Sequence, residues 1–310
     1  VINGKGGLMS NSAIQINKIT KQFDKTLAVN DLSLEVPAGV IYGFLGPNGA
    51  GKTTTIRMML NIIYPDKGGV SLFGHELDEE DKKKIGYLPE ERGLYPKMTV
   101  DETLKYFARL KGMSSRDASK AIDTWLKKIN MTEHRQKKVN ELSRGMQQKI
   151  QFVATVQHNP DLLILDEPFS GLDPINVMLI KDIILDMNKK GKTVIFSTHQ
   201  MEQVEKLCEY ICLINKGKKI IDGKQHVIRS EHGRKSISLE FDGNGSFLEK
   251  HPSIAGIQLY PKKAEIELKD KITPTAFLKD IVNKLEITKF ELREASVESI
   301  FIRLVGESNE

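Results

Sequence analysis

The sequence predicts an α/β protein in two parts: a mostly parallel sheet with helices packed against it, followed by a small α+β domain. Three observations lead there. The chain has 310 residues, about twice the ~150 of a single domain. Up to Gly223, short apolar runs of strand length alternate with stretches of helical periodicity, the pattern of strand–helix–strand units. After Gly223 the alternation stops, and strand-like segments follow one another with one clear helix among them.

Taken in order, Ala13 to Pro37 reads as strands and turns, and Val40 to Leu45 is a continuous apolar run of the kind a buried strand needs. The Gly-rich stretch Gly46-Pro-Asn-Gly-Ala-Gly-Lys-Thr-Thr leads into a helix predicted from Thr53 to Ile63. A helix-rich block opens at Thr99, which has capping-box spacing to Glu102, with Leu104, Phe107 and Leu110 on one face. Ala118, Ile122, Trp125, Leu126 and Ile129 continue at helical spacing, which makes Trp125 a core residue. Another helix runs from Leu142 toward His158, and the strand Leu162 to Leu165 ends in Asp166-Glu167-Pro168. Val177 to Asn188 is helical, Thr193 to Ser197 a strand, and Met201 to Cys208 helical. In the second part Ser236 to Phe241, Gly256 to Tyr260 and Ala264 to Leu268 read as strands, and Ala276 to Leu285 as a helix. The domain boundary falls near Gly223 to Gly233, and no internal repeat is visible.

Hydrophobic residues at 39%, charged at 28% and aromatic at 6% exclude disordered, collagen-like and coiled-coil chains. No apolar run approaches the ~18 residues of a membrane span. Cys208 and Cys212 form neither a disulfide framework nor a metal set; they read as small core hydrophobes in a reducing cytoplasm. The net charge of +5 lies in the first 224 residues, with 33 Lys/Arg against 27 Asp/Glu, whereas the tail has 13 against 14. Lys82 to Lys84 follow the acids Asp78 to Asp81, as a solvated surface segment would. The opening Val1 to Leu8, Gly-rich and without the layout of a signal peptide, reads as an expression scar before a native Met9.

Gly46 to Thr53 fits G-x-x-x-x-G-K-[ST] in full, between a buried strand and a helix. Glycines at Gly46, Gly49 and Gly51 let the backbone curl so that successive N–H groups, Asn48's among them, point at phosphate oxygens, and the helix adds the positive end of its dipole. In that arrangement Lys52 bridges the outer phosphates, Thr53 offers its hydroxyl to Mg²⁺, and Thr54 donates to the phosphates. Such a loop reads phosphates and ignores the base, so ATP is only weakly favoured over GTP. Leu162-Leu-Ile-Leu-Asp-Glu is an apolar strand ending in two acids. It sets Asp166 at the carboxyl edge of the sheet, where it can hold Mg²⁺ through water, and leaves Glu167 as the candidate general base.

Further segments resemble a known family. Leu142-Ser-Arg-Gly-Met-Gln-Gln-Lys is similar to the signature of ATP-binding cassette (ABC) ATPases, Ser170-Gly-Leu-Asp173 to their D-loop and Ser197-Thr-His199 to their H-loop, in the family's order and spacing. The resemblance covers residues 12 to 223. It implies a P-loop ABC ATPase cassette at residues 9–223, with a parallel sheet core and antiparallel β and helical subdomains, and a small α+β accessory domain at 224–310. It also implies a head-to-tail dimer of two copies enclosing two ATP molecules. Each nucleotide would touch Lys52, Thr53, Asp166 and His199 of one copy and Ser143, Gly145 and the D-loop Asp173 of the other. Ser143 reads as an N-cap whose helix start forms an anion site, and His199 would bond the terminal phosphate and position Glu167. Phe23 stands where the family stacks an aromatic on adenine; its other reading is plain strand core.

Two departures stand out. The family's Q-loop glutamine falls at Glu90 in Tyr87-Leu-Pro-Glu-Glu-Arg, which can still ligate Mg²⁺ through oxygen. Arg144 and Met146 replace the second glycine and the final glutamine of the signature. A cassette without a membrane span implies a separately encoded integral membrane permease, which places the chain at the cytoplasmic face of the cell membrane, with Glu90 to Phe107 under the permease. The run Pro89-Glu-Glu-Arg-Gly-Leu-Tyr-Pro and the ending Ser296-Val-Glu-Ser-Ile-Phe-Ile-Arg-Leu resemble bacterial type-2 exporters, close to the sodium-extruding subgroup. The cargo on that reading is Na⁺ or hydrophobic drugs and peptides. The competing function is a soluble ABC ATPase acting on ribosomes or DNA; such proteins usually carry paired cassettes or coiled-coil insertions, and with neither here, no nucleic-acid partner is expected. For the tail, the alternatives are an appendage that supports dimerisation and a regulatory ligand or ion site.

Overall fold

The computed structural model describes residues 12–307 except 92, 234, 235, 270 and 294. The segment read as an expression scar, residues 1–8, lies outside the described residues. The chain forms two compact units, residues 1–224 and 225–310.

The first unit runs β1 (Ser12–Phe23), β2 (Thr26–Pro37), β3 (Ile41–Leu45), α1 (Lys52–Met59), β4 (Lys67–Leu72), α2 (Glu79–Lys83), β5 (Ile85–Leu88), α3 (Val100–Leu110) and α4 (Ser115–Lys128). It continues with α5 (Arg144–Val156), β6 (Leu162–Asp166), α6 (Pro174–Lys189), β7 (Thr193–Thr198), α7 (Met201–Glu205), β8 (Tyr210–Asn215) and β9 (Lys218–Lys224). The core sheet has the order β5-β6-β7-β3-β8-β9. Its first five strands are parallel, and β9 closes the edge antiparallel. Every residue of β3, β6 and β7 is buried, which is why these strands have apolar centres without polar alternation: both faces of a parallel sheet are covered. A second, antiparallel sheet, β2-β1-β4, packs its inward residues Ile14, Ile16, Val29 and Leu34 against Tyr42 and Phe44 of β3 in one core.

The helices α3 to α5 form the helical part. Thr99 and Glu102 form the expected reciprocal capping box at the start of α3. The buried face of that helix is Val100, Thr103, Leu104 and Ala108; Leu110 is 60% exposed and does not share it. Trp125 is half-buried with the Lys128 ammonium over its ring, a boundary position where a core residue was expected. Three helices end earlier than their apolar periodicity. The first stops at Met59 because Asn61 takes a left-handed backbone (φ 52); α7 stops at Glu205, and the last one expected ends at Ile281. Cys208 and Cys212 are buried free thiols.

A buried polar belt ties α5 and α3 to β5. Gln151 Nε2 donates to the carbonyls of Pro89 and Glu91, both at 3.2 Å. Lys111 Nζ donates to those of Lys82 (2.6 Å) and Ile85 (2.8 Å). His158 Nε2 donates to Ile85 O at 3.2 Å, while its Nδ1 is buried without a partner. Burial first, then the Lys111 and Lys192 charges, pull the His158 imidazole from 6.5 down to about 4, against the opposing bond to Ile85. The unfolded chain therefore takes up this proton below pH 6.5 and the folded chain does not until about 4. The sign is a stability present above pH 6.5 and lost as pH falls toward 4. We expect a loss on the order of 3 kcal/mol across that window, read from urea unfolding midpoints, and absent in His158→Gln.

The second unit holds α8 (Gln225–His232), β10 (Ser236–Asp242), β11 (Ile254–Tyr260), β12 (Lys263–Leu268), α9 (Pro274–Ile281), β13 (Glu286–Arg293) and α10 (Val297–Glu307). Its sheet is antiparallel in the order β11-β12-β10-β13. One face, Ile237, Leu239, Phe241 and Ile266, packs on Phe277 and Ile281 of α9. No helix among the described residues of the chain is long and apolar enough to cross a membrane.

Candidate active site

The parallel strands deliver their chemistry to one edge of the core sheet. Register pairs Leu45 with Thr198 and Asp166 with Ser197, so the loops after β3, β6 and β7 leave side by side. Open α/β sheets bind ligands at this carboxyl edge. The loop after β3 turns into α1 through Gly51, whose φ of 102 and close approach to Ala28 O (2.4 Å from a Cβ placed there) exclude any side chain.

A cleft of about 600 Å³ opens here, lined by Asn48, Gly49, Gly51, Lys52, Thr53, Thr54, Glu90, Asp166 and Glu167. Lys52 is buried, and Nζ donates to the carbonyls of Gly46 (2.8 Å) and Pro47 (3.1 Å). Burial lowers its pKa, and the nearby charges of Glu167, Asp166 and Glu90 oppose that shift. Thr53 Oγ1 donates to Asp166 Oδ2 at 2.8 Å, and Ser197 Oγ donates to Asp166 Oδ1. The Glu167 carboxylate is held from two sides: Oε1 accepts from His199 N (3.0 Å) and His199 Nδ1 (2.8 Å), and Oε2 from Thr198 Oγ1 (3.1 Å). Its backbone is left-handed at φ 49, a local strain that the surrounding bonds must hold.

The oxygen set of Thr53, Asp166 and Glu90 suits a hard cation such as Mg²⁺. A buried lysine beside backbone N–H groups at a helix start suits phosphate. The arrangement can therefore hold a polyphosphate and its metal with one carboxylate, Glu167, kept aside for a proton.

Five expected residues lie outside this cleft lining; one of them, His199, stands beside it through its bonds to Glu167. Ser143 caps α5, accepting from Met146 N at 3.3 Å. Gly145 faces the Gly171 carbonyl, 3.4 Å from a Cβ placed on it. Asp173 caps α6, accepting from Asn176 N (2.9 Å) and Asn176 Nδ2 (2.6 Å), bonds that hold its carboxyl below the ordinary range. Phe23 is 45% exposed beside the Lys21 ammonium, which removes the strand-core alternative for it. Arg144 is exposed. Missing from the sequence reading are Thr26, Leu27 and Ala28 of β2 and Lys216 of the β8–β9 turn; Ser197 and Thr198 stand in the H-loop run, but their hold on Asp166 and Glu167 is visible only in the structure. The β2 residues reach the cleft through the antiparallel sheet, and no local motif marks them.

A family model described as "ABC transporter" matches residues 29–170, and one described as "ATP-binding protein DrrA1-3-like, C-terminal domain" matches 223–305. The chain is 44% identical over 293 residues to the ABC transporter ATP-binding protein YhaQ of Bacillus subtilis, covering 94% of this chain and 98% of that one. The chain belongs to the ATP-binding proteins of ABC transporters. This ABC protein is also 34% identical over 308 residues to the Nod factor export ATP-binding protein I of Burkholderia lata (94% and 97% covered). Its fold matches a solved ATP-binding subunit of an ABC transporter with a TM-score of 0.67 and 26% identity, covering 71% of this chain and 93% of that chain. Like its family, the ABC protein binds ATP and hydrolyses it. It is an ABC transporter ATP-binding subunit, similar to the DrrA-like and Nod factor export ATP-binding proteins.

Proposed function

We propose that this ATPase drives a separately encoded integral membrane permease as an exporter, with residues 9–223 as the nucleotide-binding domain and 224–310 as an accessory domain. The observation that carries this reading is the clamped Glu167 one residue beyond Asp166, with Asp166 bonded to Thr53 of the phosphate loop. Glu167 takes the proton of the attacking water. His199, whose Nδ1 is spent on Glu167, has Nε2 left for the terminal phosphate. Lys52, Thr54 and the backbone of Asn48, Gly49 and Gly51 hold the phosphates. Mg²⁺, when bound, neutralises phosphate charge, held by Thr53, Asp166 and Glu90.

A second copy of the chain completes the site head to tail, bringing Ser143 and Gly145 to the terminal phosphate and Asp173 to the interface; Phe23 stacks on adenine at the cleft rim. The capped, solvent-facing start of α5 supports this, since a helix start with free N–H groups is an anion site awaiting its ligand. The dimer works at the cytoplasmic face of the membrane, attached through the permease. Tyr95, Tyr106 and Leu110 are exposed on the segment from Glu90 onward and form an apolar surface that fits the permease. The export role carried in the name of the Burkholderia relative supports export. Within exporters, Na⁺ and hydrophobic drugs or peptides are the two cargo classes, and the sodium-extruding subgroup is the finer assignment.

Purification of the tagged chain from detergent-solubilised membranes of its native host tests the proposal. We expect a multi-span membrane protein to co-purify. Sedimentation with ribosomes and no membrane partner would favour the soluble ATPase instead.

A further inference from the structure

The outer face of the C-terminal sheet is polar, and it is not bare. Alternation along β10 sends Ile237 and Leu239 into the α9 core and Ser236 and Ser238 to the opposite side. Antiparallel register lines up two rows there. One row is Gly256, Glu267, Ser236 and Arg293; the next is Gln258, Glu265, Ser238 and Glu291. Between this face and α10 lies a cavity of about 580 Å³, with Ser299 and Ile302 of the helix on its far wall.

Two groups in it are unspent. Ser238 is 1% exposed, lines the floor, and its hydroxyl has no hydrogen-bond partner. Such a buried hydroxyl costs free energy unless something meets it. Glu267 is half-buried and, among the described residues, makes no ion pair or hydrogen bond, in contrast to its neighbours on the face. Glu265 pairs with Lys263 at 2.8 Å and Arg293 at 3.8 Å, and Glu291 with Lys289 at 2.9 Å and Arg293 at 3.3 Å. Opposite Glu267 stands Gly256, where a Cβ would sit 3.7 Å from Oε2, so no side chain at that position of β11 covers the carboxylate. Arg303 lines an adjoining cavity with Glu267 but donates to the His232 carbonyl. The carboxylates of Glu265, Glu267 and Glu298 outnumber the Arg293 cation along the lining.

We propose that the cavity between the polar face of the C-terminal sheet and α10 binds a small organic cation, its ammonium on Glu267, a polar atom on Ser238, and its apolar body against Ile302. The volume is that of a small-molecule site, and a charge-assisted ammonium–carboxylate hydrogen bond is the strong contact such a site offers. This ligand is distinct from ATP, whose phosphates the same acids would repel.

Titration of the full chain with phenethylamine, tryptamine and agmatine, followed by saturation-transfer NMR and calorimetry, tests it. At least one amine is expected to bind saturably, and 2-phenylethanol, which lacks the charge, is expected not to. Glu267→Gln should weaken binding at least tenfold and Ser238→Ala several-fold, while Lys52→Ala leaves it unchanged. Ser238→Ala only removes an unpartnered hydroxyl, so it keeps the test open should Glu267→Gln fail to fold. The proposal is overturned if none of the three amines binds, if the alcohol binds equally, if neither cavity variant alters affinity, or if Lys52→Ala abolishes binding.

Discussion

Replacing Glu167 with glutamine is expected to lower ATP turnover about 1,000-fold, within the ~10²–10⁴ contribution of a positioned general base, while ATP still binds. The substitution keeps the shape and leaves an oxygen to accept both His199 contacts, while the amide NH2 in place of Oε2 can only donate to the Thr198 hydroxyl where the carboxylate accepted from it, so the loop stays in place. What is lost is the capacity to take a proton. Because the nucleotide then persists, a stable dimer should be isolable with ATP and absent with ADP. Steady-state phosphate release and size-exclusion chromatography read the two effects separately. Undiminished hydrolysis in this variant would remove Glu167 from the role of base.

Lys52→Ala is expected to act one step earlier, on binding. Its ammonium is buried and already turned into the loop toward the Gly46 and Pro47 carbonyls. A phosphate arriving there meets a charge with little competing water. Truncating one partner of such a pair costs ~2–5 kcal/mol, so ATP affinity should fall at least ~30-fold. The lowered pKa of Lys52 adds a sign: the charged form is lost as pH rises, and at a lower pH than for an ordinary lysine. Wild-type affinity should therefore decline on the alkaline side before pH 10.5, and the alanine variant should show no such decline. Fluorescent ATP titration from pH 7 upward measures both.

The part of this site that is legible in the sequence is the part written contiguously. Gly46 to Thr54 is one loop, and Asp166-Glu167 ends one apolar strand, so spacing alone carries the chemistry. The bond between Ser197 and Asp166 and the approach of Ala28 to Gly51 depend on which strands are neighbours, and no local pattern encodes that. For the fold, β3, β6 and β7 announce themselves because both faces are buried. By contrast β4, with Gly68 and Gly69 and an exposed first half, has neither alternation nor a continuous run. The β8–β9 hairpin is marked by Gly217 at φ 76, a turn signal legible in Asn215-Lys-Gly-Lys. Leu110 misled because periodicity reports which residues share a helix face, and not whether anything covers the last turn.

Helix α5 has one more consequence. Its first turn, at Ser143, faces the second copy's nucleotide in the proposed dimer, and its Gln151 grips the carbonyls on both sides of Glu90 in its own cleft. Those two points lie about 12 Å apart along a stiff helix rising ~1.5 Å per residue. In the proposed dimer one rod would thus touch two catalytic chambers, with its first turn in one and its middle in the other. Movement of the helix at one chamber would then displace the Glu90 loop of the other and couple the two hydrolysis events.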